Sequence, residues 1–409
     1  MTDRTIPILL DPLDVLFFRD GRPFSAATRG EGGLPNPQIM AGALTTALLA
    51  ERGCRFKALQ QELQIPGRNF ADAVAATCGE SARWIAQIEF RGPWLARVPR
   101  LPAKASPASP ESPLPEILWP VPANLHAPKK GAEGNYRLLQ PLGPRTSLPG
   151  WKATSHSQPS RRPLWIASGD RTEPASGFLT NRGMTQVLCG KLNEWKTDSP
   201  LLIRSEQLFG YDNRTGIGVD FERSSAAESQ IYAARFLSLR SNVALPEGTG
   251  EQRYDVQFYG ELVLPADAPP DLLAGIQTLA FGGEGRRVAL RKSLPANFPE
   301  FKMAASSRQR PCLYLTTPGF FASQTTPPYA AEPAWLQGQI VASAVPGAVA
   351  VSGWDLAKGG PKPNRFGAAA GSVYFLDQLP NALPGSLCDA DSDRRAGWGH
   401  YLKGVWNDE

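Results

Sequence analysis

Histidine is scarce in this sequence, and paired cysteines are missing. The chain has 3 histidines, His126, His156 and His400, and none of its 5 cysteines stands in a CxxC pair. The HExxH and GxSxG patterns of zinc proteases and serine hydrolases do not occur either. We therefore expect no metal, no cofactor and no catalytic residue. For His400, a general base remains the alternative to a structural side chain.

Long apolar runs are missing as well. No uninterrupted run reaches the roughly 18 residues that crossing a membrane requires, and the N-terminus lacks the basic and then apolar order of a secretion signal. The cysteines are odd in number and widely scattered, which indicates reduced, mostly buried thiols. We expect a soluble, cytoplasmic protein with no membrane partner.

Glycine and proline are plentiful, with 39 of each among 409 residues. Proline at nearly twice its usual share favours loops and short elements over long helices. Hydrophobic residues make up 42% of the chain, enough for sizeable cores, and the length indicates two or three domains. The net charge of +5 permits a nucleic-acid partner but does not argue strongly for one.

Apolar periodicity predicts mainly strands. The principal ones are Ile6–Leu10, Trp84–Val98, Gln230–Arg240, Tyr254–Leu264, Val288–Lys292, Cys312–Leu315, Val341–Val351 and Gly371–Leu376. Helices are predicted over Gln38–Arg52 and Asp271–Phe281, each after a strand. This order predicts an α+β fold with two βαββαβ units that carry long insertions, rather than a doubly wound sheet.

The stretch Phe17–Phe24, with sequence FFRDGRPF, places two arginines beside aromatic side chains and turn residues. Guanidinium groups match phosphate geometry, and aromatic or guanidinium planes stack on bases. Arg19 and Arg22 are therefore candidate phosphate ligands. The alternative is a surface hairpin whose arginines are merely solvated.

The segment Gly282–Arg287, with sequence GGEGRR, is a second candidate. Its glycines would let the backbone approach a phosphodiester, and its adjacent arginines supply charge. It is neither a Walker A loop nor a dinucleotide fingerprint, because it follows a predicted helix and leads into a strand. The alternative is a glycine-rich helix end with exposed arginines.

A low-complexity and basic insertion spans about residues 101–163. Between residues 128 and 163 the basic side chains are opposed by Glu133 alone, and Tyr136 and Trp151 lie among them. Cations interleaved with aromatics suit single-stranded nucleic acid. A solvated, disordered insertion is the alternative.

Taken in order along the chain, these segments resemble the RAMP (repeat-associated mysterious protein) superfamily. More narrowly, they are similar to the third-subunit family of the type III-B CRISPR effector (Cmr) complex. The segments that carry the resemblance are Phe17–Phe24, Arg214–Ile217, Gly282–Arg287, Gly353–Asp355, Ala370–Phe375 and Gly397–Gly399. The resemblance covers nearly the whole chain.

The resemblance implies two ferredoxin-like, RRM-related domains, which we expect at residues 1–200 and 201–409. It implies that part of the insertion is a β-hairpin thumb of the kind related subunits place between nucleotides. It also implies an RNA or partner surface made of Arg19, Arg22, Arg29, Arg214, Thr215, Gly216, Gly282, Gly283, Gly285, Arg286, Arg287, Lys358, Lys362 and Arg365.

The implied function is that of a non-catalytic subunit that holds the 5′ tag of CRISPR RNA. Its expected partners are this RNA, the large polymerase/cyclase-like subunit and the RAMP backbone subunits. Two alternatives stay open: an endoribonuclease that processes precursor CRISPR RNA, and the equivalent subunit of a type III-A or III-D complex.

Overall fold

The computed structural model describes residues 4–18, 33–100, 114–143, 161–166, 171–192, 195–196, 199–220, 225–244, 253–299, 309–322, 329–355 and 359–408. The side chains of residues 216–220, 226–233 and 354–355 are not part of this description.

Short strands dominate the chain, as its proline and glycine content predicts. The helices are α1 (Pro37–Glu51), α2 (Phe56–Leu63), α3 (Phe70–Cys78), α4 (Asn181–Leu188), α5 (Ser205–Leu208) and α6 (Asp391–Arg395), with 3-10 turns at Glu80–Gln87 and Ala334–Leu336. The strands in the first part of the chain are β1 (Arg4–Pro12), β2 (Glu89–Pro99), β3 (Glu116–Pro120), β4 (Leu125–Pro128), β5 (Arg137–Leu138), β6 (Gln140–Pro141), β7 (Leu164–Trp165), β8 (Thr172–Pro174), β9 (Phe178–Leu179), β10 (Leu202–Ile203), β11 (Phe209–Asp220) and β12 (Ser225–Leu239). They are followed by β13 (Val243–Ala244), β14 (Arg253–Leu264), β15 (Thr278–Ala280), β16 (Arg287–Lys292), β17 (Gln309–Leu315), β18 (Ile340–Ala344), β19 (Ala348–Val351), β20 (Trp354–Asp355), β21 (Gly360–Pro361), β22 (Arg365–Ala368), β23 (Val373–Leu376) and β24 (Tyr401–Asn407).

Helix α1 forms where the sequence predicts it. The side chain of Asn36 accepts a hydrogen bond from the Ile39 amide at 3.2 Å, and Pro37 occupies the first helical position. Both are strong start signals. Met40, Leu44 and Leu48 recur every four residues and are buried, so this face packs on the first sheet.

The first sheet has nine strands. Its order is β10-β9-β3-β2-β14-β1-β16-β15, and β13 also pairs with β14. In its centre β1 is antiparallel to both β14 and β16, and β14 is antiparallel to β2. The central order is therefore β16-β1-β14-β2, with strands that are distant in sequence lying side by side.

The second sheet has four strands in the order β18-β23-β17-β24, all antiparallel. A smaller two-stranded sheet, the β19–β22 branch, is formed by the chain segment that connects β18 to β23. All strands of both come from residues 309–407.

Two apolar cores separate three layers. One face of the first sheet packs against α1, α2, α3 and the 3-10 turn at Glu80–Gln87. The opposite face, through Trp94, Trp119 and Tyr259, packs against the second sheet and α4. The first sheet is thus covered on both sides.

Three predicted elements differ from the observed ones. Asp271–Phe281 is a turn followed by strand β15, because Gly275 interrupts the apolar run and packs against the Glu51 carboxylate. The first four residues of the predicted strand Trp84–Val98 are in the 3-10 turn, in which the neighbours Trp84 and Ile85 are both buried, and the rest from Glu89 on is β2. The predicted strand Val341–Val351 is split into β18 and β19 around Pro346 and Gly347.

The predicted domain boundary at residues 200–201 falls within the first sheet. It separates β9 from its partner β10, and β14 and β16 lie beyond it although both pair with β1. The change from one sheet to the other occurs between Lys292 and Gln309.

Several described residues of the insertion at 101–163 form strands. Its strand β3 belongs to the first sheet, and β4 forms a small sheet with β5 and β8. Residues 101–113 and 144–160, with Trp151, lie outside the described residues.

The expected fold class is confirmed at the level of a mixed α/β chain with many strands and few helices. The cysteines are free thiols as predicted, and Cys54, Cys312 and Cys388 are buried. No helix in the described part of the chain is long and apolar enough to span a membrane.

Candidate nucleic-acid interface

The aromatic pair that begins the FFRDGRPF stretch is part of the protein interior. Phe17 is 9% exposed and Phe18 is 4% exposed. The Phe18 ring meets Phe281 edge-on with 5.6 Å between centroids. These rings are anchors for the backbone rather than free stacking platforms. Arg19, Arg22 and Arg29 follow outside the described residues.

The glycine-rich segment is the turn between β15 and β16, not a loop after a helix. The amide of Gly283 donates to the Phe17 carbonyl at 2.8 Å. Gly282 has a φ of +89°, and a Cβ there would overlap the same carbonyl oxygen. Only glycine fits this position without displacing the Phe17 backbone. The first two predicted segments are therefore in direct contact.

Arg286, at the end of this turn, contacts one aromatic ring and one carboxylate. Its guanidinium carbon lies 4.9 Å from the centroid of Phe236, and its Nη1 donates to Asp14 at 2.6 Å. The buried Nε has no hydrogen-bond partner among the described residues. Arg287 points elsewhere, with Nη2 3.3 Å from the Thr278 carbonyl oxygen.

Phe236 comes from the long hairpin β11–β12, in which strand residues Arg214, Thr215 and Gly216 pair with Ala234, Ala233 and Tyr232. The Arg214 guanidinium lies 4.8 Å from the Phe236 centroid and bonds to Asp212, with Nη2 at 2.7 Å. Thr215 is exposed.

The hairpin is attached to the rest of the chain close to Phe236. Leu16 and Leu237 exchange backbone hydrogen bonds of 2.8 and 2.7 Å. The rings of Phe17 and Phe236 lie 5.1 Å apart. Three segments predicted separately from the sequence thus converge on one set of side chains, which we call the guanidinium–aromatic cluster: Phe17, Arg214, Phe236 and Arg286.

The remaining predicted residues lie on the β19–β22 branch. Lys362 is exposed, and its amide donates to the Gly353 carbonyl at 2.7 Å. Arg365 makes two hydrogen bonds to the buried Asp393 carboxylate, 2.7 and 2.6 Å, and its guanidinium lies 3.9 Å from the Phe320 centroid. The bonds to Asp393 raise the pKa of Arg365. Lys358 is outside the described residues.

His400 is enclosed by aromatic rings. Its ring centroid lies 5.0 Å from that of Trp94, and its Nδ1 lies 3.0 Å from the Thr316 Oγ1. Burial, together with the nearby Arg91 charge, lowers the pKa of His400 to about 3. The imidazole is therefore neutral at physiological pH and half-buried beside these rings.

His126 has its pKa lowered by burial, and its Nδ1 lies 3.3 Å from the Thr172 hydroxyl. His156 lies outside the described residues. Within the ranges described above, no three His, Cys, Asp or Glu side chains are grouped as metal ligands would be.

Sequence reasoning missed Phe236, Asp14 and Asp212. The strand that holds Phe236 was predicted, but its register against β11 decides which of its faces meets the arginines. Alternation along β11 puts Asp212 and Arg214 on one face, and that signal was available. No pattern linked Asp14 to Arg286.

The chain belongs to the class of CRISPR-associated proteins. The family model described as CRISPR-associated protein (Cas_Cmr3) matches residues 8–406. Because this match spans nearly the whole chain, the chain belongs to the Cas_Cmr3 family, and the resemblance to the RAMP third-subunit family is confirmed. Membership places the chain among type III CRISPR effector proteins, the level at which the expected function is confirmed.

Solved structures of effector complexes also align with the chain. A chain in the "Cryo-EM structure of the Type III-B Cmr-beta bound to cognate target RNA" is 13% identical, with a TM-score of 0.45 and coverage of 90% of this chain and 86% of that one. A chain in the "Crystal structure of Csm3-Csm4 subcomplex in the type III-A CRISPR-Cas interference complex" is 11% identical, with a TM-score of 0.35 and coverage of 92% and 95%. These scores alone do not establish a shared fold. A comparison with curated proteins found no match.

Proposed function

We propose that the chain is a non-catalytic RNA-binding subunit of a type III-B CRISPR effector complex. It captures the 5′ tag of CRISPR RNA and bridges the large polymerase/cyclase-like subunit to the RAMP backbone. The observation that carries the RNA-binding part is the convergence of the Phe17 segment, the Arg214 strand and the Gly282–Arg287 turn on one cluster.

Two ferredoxin-like units form the scaffold in this proposal. In an antiparallel βαββαβ unit the strands lie in the order 4-1-3-2. The orders β16-β1-β14-β2 and β24-β17-β23-β18 both fit this pattern when strands are counted along the chain. The first unit then extends to about residue 299 and contains the large insertions, and the second begins at β17.

The two guanidinium groups of the cluster are the proposed phosphate ligands. Arg214 is 46% exposed and Arg286 is 22% exposed. A guanidinium has five N–H donors, and each group gives only part of them to its carboxylate, so donors remain for a phosphate. Stacking on Phe236 holds both groups in place without consuming donors.

The glycines contribute access rather than bonds. The Gly283 amide already donates to the Phe17 carbonyl and is not available to a ligand. Gly285 borders open space, since a Cβ there would have no atom within 4 Å. An open, low-profile turn beside two arginines lets a phosphodiester backbone come close. Thr215, Gly216 and Lys362 stay proposed contacts. For Arg287 and Arg365, which bind Thr278 and Asp393, we propose a bracing role instead.

The β11–β12 hairpin is the element we propose as the thumb, in place of the insertion. Its strands have 12 and 15 residues and form a sheet of their own. Its base contacts the rest of the chain through the Leu16–Leu237 bridge and through Phe236, which packs against Phe17 and Arg286. Such a hairpin can extend along or between nucleotides while the cluster fixes its angle.

The alternative, an endoribonuclease, lacks support from the histidines. A general base must titrate near the working pH, and His400, with its pKa lowered to about 3, does not. Incubating the purified protein with repeat RNA in a chelator tests this. Cleavage that disappears in His400→Ala but persists in His126→Ala would establish the enzyme instead.

The binding proposal is tested with Arg214→Ala plus Arg286→Ala in the full chain. For single strands, each lost phosphate contact lowers the slope of log affinity against log salt by about 0.7. We expect a decrease of about 1.4, similar for all RNA sequences. The control is Arg291→Ala, which removes an exposed arginine paired with Asp11. An unchanged slope in the double variant would exclude the cluster.

A further inference from the structure

Unpaired cations surround the small sheet β5-β4-β8, apart from the guanidinium–aromatic cluster. The residues are Lys129, Lys130, Arg171, Lys196 and Arg204, which we call the insertion surface. All five are exposed, and none makes an ion pair with a described residue. The cluster arginines, by contrast, each have a carboxylate partner.

Backbone contacts bring these five residues together. The Lys129 amide donates to the Arg171 carbonyl at 2.9 Å, next to the β4–β8 ladder. Lys196 forms a β-bridge with Asn135, across the turn that begins at Lys129. Arg204 follows β10, and its Cα would lie 3.4 Å from a Cβ on Gly177. The surface is therefore assembled from four separate segments.

The charge balance of this surface is positive. Glu133, Glu173 and Glu206 are exposed in the same segments, so the cations exceed the carboxylates. Like charges held close without partners repel one another and attract polyanions over about a Debye length of 8 to 10 Å. A surface of this kind gains most from a partner with regularly spaced negative charge.

The Tyr136 ring of this region is not available for stacking. Tyr136 is 7% exposed and packs against Trp195 at 6.1 Å between centroids. Arg161 and Arg162 are held by Glu332 and Asp408. The surface thus offers cations on an ordered backbone, which suits phosphates rather than bases.

We propose that the insertion surface is a second RNA contact, which binds the sugar–phosphate backbone of a single strand without reading its sequence. The proposal rests on the proposed function for its choice of RNA as the polyanion. In this role it would hold RNA beyond the stretch gripped by the cluster. The sequence predicts a basic surface between residues 128 and 163, and Lys129 and Lys130 belong to it. In the structure Tyr136 is buried, and Arg161 and Arg162 of the same stretch are paired with carboxylates.

The test compares full-length variants for binding of a fluorescein-labelled single-stranded RNA across a salt series. Lys129→Ala, Lys130→Ala and Arg171→Ala are combined in one variant. Three lost phosphate contacts lower the log–log slope by about 2. The matched control is Arg55→Ala plus Lys57→Ala, exposed cations at helix α2 on the other side of the first sheet.

A gain-of-affinity variant distinguishes the loss of an RNA contact from a loss of affinity caused by misfolding. Glu133→Gln plus Glu173→Gln removes two carboxylates from the surface, and we expect tighter RNA binding at low salt. A wild-type slope in the triple variant overturns this inference. If Arg214→Ala plus Arg286→Ala weakens RNA binding although the triple variant does not, the proposed function survives and this inference fails. If only the triple variant weakens RNA binding, the assignment of the guanidinium–aromatic cluster fails and this inference stands. Phosphatidylserine vesicles or polyglutamate that bind the surface in preference to RNA would also overturn it.

Discussion

Arg214 and Arg286 both place their guanidinium groups against one aromatic ring, that of Phe236. Each guanidinium lies within 5 Å of the Phe236 centroid. Asp212 and Asp14 offset part of the positive charge, and stacking is favourable because guanidinium is weakly hydrated. A phosphate that arrives here finds the groups already oriented, so little conformational entropy is lost on binding.

Arg365 is the residue whose role we expect to differ most from the sequence prediction. The Asp393 side chain is 7% exposed, whereas Arg365 is 47% exposed. Arg365→Ala leaves a buried carboxylate without its partner, which costs about 3 kcal/mol, near the low end for such losses because the arginine is half exposed. Urea unfolding measures this cost.

The matched variant is Lys362→Ala on the same branch, which we expect to leave the free energy of unfolding within about 0.5 kcal/mol of wild type. If Arg365→Ala is as stable as Lys362→Ala but binds RNA more weakly, Arg365 is a ligand and not a brace.

His400 makes the stability of the protein depend on pH. Its folded pKa is about 3, while an unfolded histidine titrates near about 6.5. Between these values the unfolded chain binds a proton that the folded chain does not, so stability falls as pH falls. Above about pH 6.5 His400 is neutral in both the folded and the unfolded chain, so it no longer makes stability depend on pH.

The predicted slope is at most about 1.4 kcal/mol per pH unit in that window. Unfolding free energies of wild type and His400→Asn, measured across the window, test it. The variant is less stable at every pH because it loses packing, but its unfolding free energy should depend much less on pH than that of wild type. An equally steep pH dependence in the variant would mean that other groups cause the slope.

At the scale of elements, the β15–β16 turn is fitted to the Phe17 backbone. Gly282→Ala combines a φ of +89° with a Cβ that overlaps a carbonyl oxygen, whereas Gly285 has a φ of +64° and open space. We expect Gly285→Ala to cost about 1 to 2 kcal/mol from the left-handed backbone alone, and Gly282→Ala clearly more.

The comparison also has a functional readout. Gly282→Ala should displace Arg286 from Phe236 and weaken RNA binding, while Gly285→Ala should bind nearly as wild type. Equal effects on stability and binding from both substitutions would show that the fit to Phe17 is unimportant.

Elements were predictable where one local signal dominates. Asn36 and Pro37 mark the start of α1, and the apolar run of Tyr254–Leu264 marks β14. Prediction failed where several conformations share one pattern. Trp84 and Ile85 fit a strand or a 3-10 turn equally well, and only packing against the core decides between them.

At the scale of the whole molecule, the two sheets depend on each other. Trp94, Trp119 and Tyr259 of the first sheet are buried against a core that also contains Tyr314 and Trp406 of the second. We predict a single cooperative transition for the full chain in calorimetry. Residues 1–299 alone should expose this face and bind an apolar dye. Two separate transitions would contradict the shared core.

The candidate segments could be predicted from the sequence, but the contacts between them could not. Phe17, Arg214 and Gly282 are far apart in the chain, and their contact depends on β1 pairing with both β14 and β16. Nothing local specifies such pairings, since they follow from the total burial of both faces. The partners Asp14 and Phe236 were missed for the same reason, whereas Asp212 could have been inferred from the alternation along β11.

The central claim is that the 5′ tag of CRISPR RNA lies on the guanidinium–aromatic cluster. The most direct measurement is photo-crosslinking of a reconstituted complex whose CRISPR RNA carries 4-thiouridine in the tag, with mass spectrometry of the crosslinked peptides. We predict crosslinks to peptides that contain Arg214 or the Gly282–Arg287 turn, and their loss in Arg214→Ala plus Arg286→Ala. Crosslinks confined to other parts of this chain, or to other subunits, would contradict the account.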